Sequence, residues 1–141
     1  MKSQTVVDIR QFMQQYFDAW QESVPEKILP YYSDDVVIDV LGVPALLEGK
    51  QAVTEHFVRP FTKAFPGNIH QIRNLIHQGN QVVIEWMFVA VHKGEFAGIP
   101  GTGRTVNVPG CSVYTVDGDQ IRRGHIYFNG PTLMQQLGGG R

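Results

Sequence analysis

Residues 68–94, "NIHQIRNLIHQGNQVVIEWMFVAVHKG", decide what kind of protein this chain folds into. Gly79-Asn80 is a tight-turn pair between two runs rich in β-branched and aromatic residues, so the stretch reads as a β-hairpin. Side chains alternate across a strand, which splits the second arm into two sets. Val82, Ile84, Trp86, Phe88 and Ala90 are wholly apolar and are expected to face the interior. Val83, Glu85, Met87, Val89 and Val91 then face outward, with Glu85 among them, and their apolar bulk predicts a subunit interface.

Working outward, "RTVNVPGCSVYTV" (104–116) and "QIRRGHIYF" (120–128) form a second hairpin around Asp117-Gly118-Asp119. Pro109-Gly110 inside the first of these strands predicts a bulge or bend. The tail "PTLMQQLG" (131–138) predicts one or two helical turns stopped by Gly138. Upstream of the hairpin the period changes. In "SQTVVDIRQFMQQYFDAWQE" (3–22) Val6, Ile9, Phe12, Met13, Tyr16, Phe17 and Trp20 make a wide apolar stripe at helical spacing. Thr5 and Asp8 resemble a capping box. A short helix starts at Pro25 and is distorted by Pro30. "DDVVIDVLG" (34–42) reads as a strand. "EGKQAVTEHFVRPFTKAF" (48–65) reads as a third helix, kinked or interrupted near Pro60. Helices gathered ahead of four antiparallel strands define an α+β protein. The expected shape is a cone-shaped barrel, a strongly curved antiparallel sheet covered by three helices.

At 141 residues the chain is expected to be a single domain, 1–141, with one core. A net charge of −1 gives no electrostatic footprint for nucleic acid or an anionic membrane surface. Cys111 is the sole cysteine, so no intrachain disulfide forms. The N-terminus has no apolar signal-peptide core and no stretch is long enough to span a membrane, so a cytoplasmic protein is expected. The five histidines lack metal-ligand spacing, and no metal is expected. "GIPGTGR" (98–104) lacks the Lys-Ser/Thr of a phosphate loop and reads as a shaped loop.

Two further stretches carry a resemblance. "GEFAGIPGTGRTVNVPG" (94–110) is similar to the G-x-F-x-G-I-P-x-T-G-R-x-V signature of SnoaL-like polyketide cyclases, and "IYFNGPTLMQQLG" (126–138) to their closing Y-[FW]-D…L-L-x-Q-L-G. The likeness runs from about Val6 to Gly138. It implies the cone of nuclear-transport-factor-2-like proteins and a homodimer joined through the outer sheet face. It also implies a cofactor-independent enzyme acting on a mostly apolar, carbonyl-bearing small molecule of polyketide or terpenoid type. A dehydratase or isomerase of the same fold, or a binding protein without turnover, is the alternative. The chain departs from the pattern at Asn129, where the resemblance calls for an acid/base aspartate; a carboxamide exchanges no proton near neutral pH.

The candidate site residues follow. His125, Tyr127 and Asn129 share one face of a strand and are expected to point into the cone, with His125 as proton carrier or as a hydrogen-bonded wall residue. Tyr16 is either the oxyanion donor found at this helix position in ketosteroid isomerases or a core tyrosine. The general-base aspartate of those isomerases falls on Val40, with Asp39 one residue off and on the opposite face. Asp18 and His70 form a third option, an aspartate orienting an imidazole base, as in scytalone-dehydratase-like members of the fold. An exposed Asp18 is the plainer reading. Phe17, Trp20, Ile38, Val40, Trp86 and Phe88 are the expected substrate-binding walls.

Overall fold

The computed structural model describes residues 8–138. Helix α1 spans Ile9–Glu22, and its stripe of Ile9, Phe12, Met13, Tyr16, Phe17 and Trp20 is buried throughout. The helix begins at Asp8, whose carboxylate accepts from the Gln11 N–H at 3.1 Å. Asp8 is thus the N-cap itself; Thr5 and Val6 lie outside the described residues. Pro25–Ile28 (α2) tightens into a 3₁₀ turn at Leu29–Tyr31, where Pro30 sits. Strand β1 (Tyr32–Val40) and the two-residue β2 (Leu47–Glu48) follow.

The third helical stretch is interrupted as its proline predicts. It runs as α3 (Lys50–Val53), a π-helical turn (Thr54–Val58) and α4 (Arg59–Ala64). Pro60 has no N–H to return to the preceding turn, and the wider turn just before it absorbs the mismatch. The hairpins form β3 (Ile69–Gln78) with β4 (Gln81–Val91), and β5 (Thr105–Asp117) with β6 (Gln120–Phe128). Helix α5 (Gly130–Gln136) closes the described chain, with Gly138 at φ +85° behind it.

One curved, unclosed six-stranded sheet holds all the described strands in the order β2-β1-β6-β5-β4-β3. Every neighbouring pair is antiparallel except β1 and β6, which run parallel. Register turns the alternation of single strands into rows across the sheet. Ile84, Ser112 and Ile126 are cross-strand partners in one row, and Trp86, Gly110 and Phe128 in another. These rows face the helices. Val83, Val113, His125 and Asp39 form a row on the other face, as do Glu85, Cys111 and Tyr127.

Pro109-Gly110 makes no bulge against β4. Pro109 pairs with Met87 and Gly110 with Trp86 in unbroken register, and the shifts fall instead at Ile72/Asn74, at Thr115/Val116 and at Tyr32/Val37. The glycine has a different cause. A Cβ at position 110 would lie 2.2 Å from Trp86 Cη2, so the strand is bare there to let the indole lie across it.

Candidate functional site

The inward rows and α1 enclose a cavity of about 50 Å³. Helix α1 contributes Tyr16, Phe17 and Trp20; the sheet contributes His70, Trp86, Phe88, Ser112, Tyr114 and Ile126. Each is there because of its parity on a strand or its place on the apolar helix stripe. The lining is almost wholly hydrocarbon, so its few polar groups carry whatever recognition occurs there.

Two polar groups stand out. The Tyr16 and Tyr32 hydroxyls lie 2.6 Å apart in full burial, and of the two only Tyr16 lines the cavity. Tyr114 stands edge-on to Tyr16 with ring centroids 5.7 Å apart. Burial above all, and then the neighbouring phenol, pushes the Tyr16 hydroxyl well above the ordinary tyrosine pKa; Tyr114 shifts the same way for the same two reasons. These hydroxyls therefore remain proton donors. Beside them, the Trp86 indole N–H donates to Ser112 Oγ at 2.9 Å, which satisfies the indole.

The second group is His70. Its imidazole stacks on Phe17 at 4.5 Å and 6°, and meets the rings of Trp86 at 5.0 Å and Phe88 at 5.2 Å. The residue as a whole is half-buried, yet Nδ1 is sealed from solvent with no hydrogen-bond partner among the described residues. Burial in this aromatic box lowers its pKa to about 3, so the ring is neutral across the physiological range.

The other expectations need correction. His125 and Tyr127 face out of the cone and are exposed, while Ile126 and Phe128 line the cavity. The physical reason is the row structure: His125 pairs with Val113 and Asp39 on the outer face, where His125 Nδ1 lies 3.5 Å from the Asp39 carboxylate. Asn129 is exposed and caps α5, its side-chain oxygen accepting from the Thr132 N–H at 3.0 Å. Asp18 is exposed as well and accepts from Gln14 Nε2 at 2.9 Å, and no carboxylate among the described residues bonds His70 Nδ1. Ile38 is fully buried in the core without lining the cavity; Val40 does line it. Ser112 and Tyr114 add polar groups to the cavity wall beyond the sequence candidates, and Tyr32 stands behind Tyr16. Ser112 and Tyr114 were accessible by extending the Ile84 row into β5.

Toward solvent the cavity gives onto a larger vestibule of about 750 Å³, between α4, the loop after β4 and α5. Its floor includes Phe61, Phe96, Phe128 and Leu133, and its rim carries Glu55, His56, Arg59, Lys63 and Glu95. The loop is fixed at its base by the buried His92, whose Nδ1 accepts from the Thr102 N–H at 3.2 Å.

A curved sheet folded over helices, with an aromatic cavity holding a few polar tips, defines a cone-shaped small-molecule-binding protein. No helix among the described residues is long and apolar enough to cross a membrane. The chain belongs to the SnoaL-like polyketide cyclase family, whose sequence profile matches residues 10–137. Solved structures share the fold. A proposed SnoaL-like polyketide cyclase from Jannaschia sp. CCS1 superposes with a TM-score of 0.80 at 17% identity, covering 96% of this chain and 97% of that one. A proposed polyketide cyclase from Acidithiobacillus ferrooxidans gives 0.77 at 24% identity, covering 99% and 100%. AclR from Streptomyces galilaeus, a proposed hydroxylase, gives 0.77 at 20% identity, covering 92% and 84%. A comparison with curated protein sequences finds no match.

Proposed function

We propose that this chain is a cofactor-independent enzyme that binds a mostly apolar, carbonyl-bearing molecule of polyketide or terpenoid type and promotes reaction through its enolate. The observation that carries the reading is the buried Tyr16–Tyr32 pair opening on an apolar cavity that also holds a neutral imidazole. Either hydroxyl of the pair can donate; the mechanism uses the arrangement in which Tyr32 donates to Tyr16 and the Tyr16 proton meets a carbonyl oxygen. In a dry site such a preorganised donor stabilises the developing oxyanion far more than water would. His70 takes the α-proton as the C–H bond breaks. Burial makes the resulting imidazolium costly, and the enolate formed beside it offsets that cost. In a ring closure the enolate carbon bonds to a second carbonyl carbon, and the imidazolium returns its proton to the new alkoxide.

One observation favours a second reading, a binding protein without turnover. None of the described cavity residues is a carboxylate, and His70 at a pKa of about 3 is a weak base. Hydrogen–deuterium exchange at the α-carbons of 2-tetralone, followed by NMR, separates the two. The enzyme reading expects exchange above the buffer rate and a loss of about 10²–10³ in Tyr16→Phe, the scale of a lost oxyanion donor. The binding reading expects saturable binding of the ketone with exchange at the buffer rate.

A further inference from the structure

We propose that Phe128 and Phe61 form a closed aromatic gate between the vestibule and the inner cavity, with Phe128 its moving leaf, so that Phe128 sets which ring systems reach Tyr16 and His70. The inference rests on the cavity being the ligand site and concerns what controls access to it. The two spaces share four lining residues, Val40, Phe61, Phe128 and Leu133. Val40 and Leu133 are 1% and 2% exposed, so they belong to the buried frame. Phe61 and Phe128 are only half-buried.

Volume limits what the inner cavity holds as it stands. A dry cavity of about 150 Å³ is what accommodates one benzene ring. The inner cavity is about 50 Å³, whereas the vestibule outside it is about 750 Å³. A ring-bearing ligand therefore fits outside the gate and reaches the polar groups only if a shared residue swings away.

The surroundings of the two rings decide which one moves. Phe61 is braced by three further aromatic rings, Phe57 at 5.5 Å, Phe96 at 5.2 Å and Phe65 at 6.3 Å. Among the described residues Phe128 meets a single aromatic ring, Phe61, edge-on at 6.5 Å, near the outer limit of such contacts. It is also the last residue of β6, and the following Gly130 leaves its flank open. A Cβ built there would meet only the Phe128 ring, at 3.9 Å.

The test is stopped-flow association of 2-naphthol with the full chain, read by tryptophan emission. Trp20 and Trp86 are the two tryptophans of the chain, and both line the inner cavity. Phe128→Ala, or Phe128→Leu where alanine compromises folding, is expected to raise the association rate by about 10-fold or more, and Phe128→Trp to lower it similarly, as for a gated step. Circular dichroism confirms the fold of each variant. Rates within about twofold across wild type, Phe128→Leu and Phe128→Trp, with affinity still weakened by Tyr16→Phe, overturn the gate and leave the cavity reading standing. No tryptophan response in any variant, Phe128→Ala included, overturns both.

Discussion

His70 is the one imidazole in the cavity wall, and its neutrality has a consequence for the stability of the whole chain. The ring titrates at about 3 when folded, against an ordinary value of 6.5. Between those values the unfolded chain binds a proton that the folded chain refuses, so acid favours unfolding. Stability from this residue is complete above pH 6.5 and falls as pH drops toward 3, by at most about 1.4 kcal/mol per pH unit. His70→Phe removes the titrating group and retains the stacking on Phe17. Urea midpoints at pH 7 and pH 4.5 are expected to differ less in the variant than in wild type, since the exposed carboxylates common to both cancel. Equal differences would mean that His70 titrates freely. His70 itself was legible as a candidate, and the helix stripe also exposed Tyr16. The missing Asp18 partner was legible too: at 100° per residue, position 18 lies about 160° from the centre of the stripe. The Tyr16–Tyr32 bond was not legible, because it joins residues from separate elements whose approach only the tertiary packing sets.

Strand β6 illustrates how one element depends on its neighbours. Read alone, "HIYFN" offers two faces of opposite character, and a polar row suits a pocket wall. Read across the sheet, it has one solution. Val83 faces outward, Val113 pairs with Val83, and His125 pairs with Val113, so His125 faces outward too. Interior burial of Ile126 and Phe128 then outweighs any demand for polar tips. The apolar parity of β4, both hairpin turns and the helical irregularity at Pro60 were legible because each is a local pattern. Cross-strand register is not local. The Gly110 signal was local but ambiguous, since a strand glycine marks either a bulge or a close approach, and here Trp86 makes the approach. Gly110→Ala is accordingly expected to destabilise the fold by about 1–3 kcal/mol through overpacking. The atoms it would strike are Cη2, Cζ3 and Cζ2 of Trp86, all on the six-membered half of the indole. Trp86→Phe in the same chain shortens that side chain, so the double variant is expected to lose less than the sum of the singles. Strict additivity of urea midpoints would show that the clash is relieved elsewhere.

At the scale of the molecule, the cone has two faces with different tasks, and the outer one is left with apolar surface. Ile76 is 60% exposed, Tyr127 48% and Val83 37%, with Met87, Val89 and Val91 half-buried beside them. Strands β3–β6 give this face a length of about 30 Å and a width of about 20 Å from strand rise and spacing, or about 600 Å² in projection. That approaches the roughly 800 Å² per partner of a stable protein interface. A second copy of the chain, meeting this face across a two-fold axis, would cover it and also shield the long strands. The arrangement leaves both vestibules free, because they open between α4, the loop after β4 and α5 rather than on the outer face. Sedimentation velocity is expected to show a dimer at micromolar concentration. Val83→Lys places a charge amid the apolar row without touching the inner cavity, and is expected to raise the dissociation constant at least about 10-fold, the cost of burying an unpaired charge. Binding of 2-naphthol, read by tryptophan emission, should be unchanged in that variant. A wild-type chain that sediments as a monomer at about 100 μM would rule out this dimer, since an interface of this size and apolarity holds at that concentration.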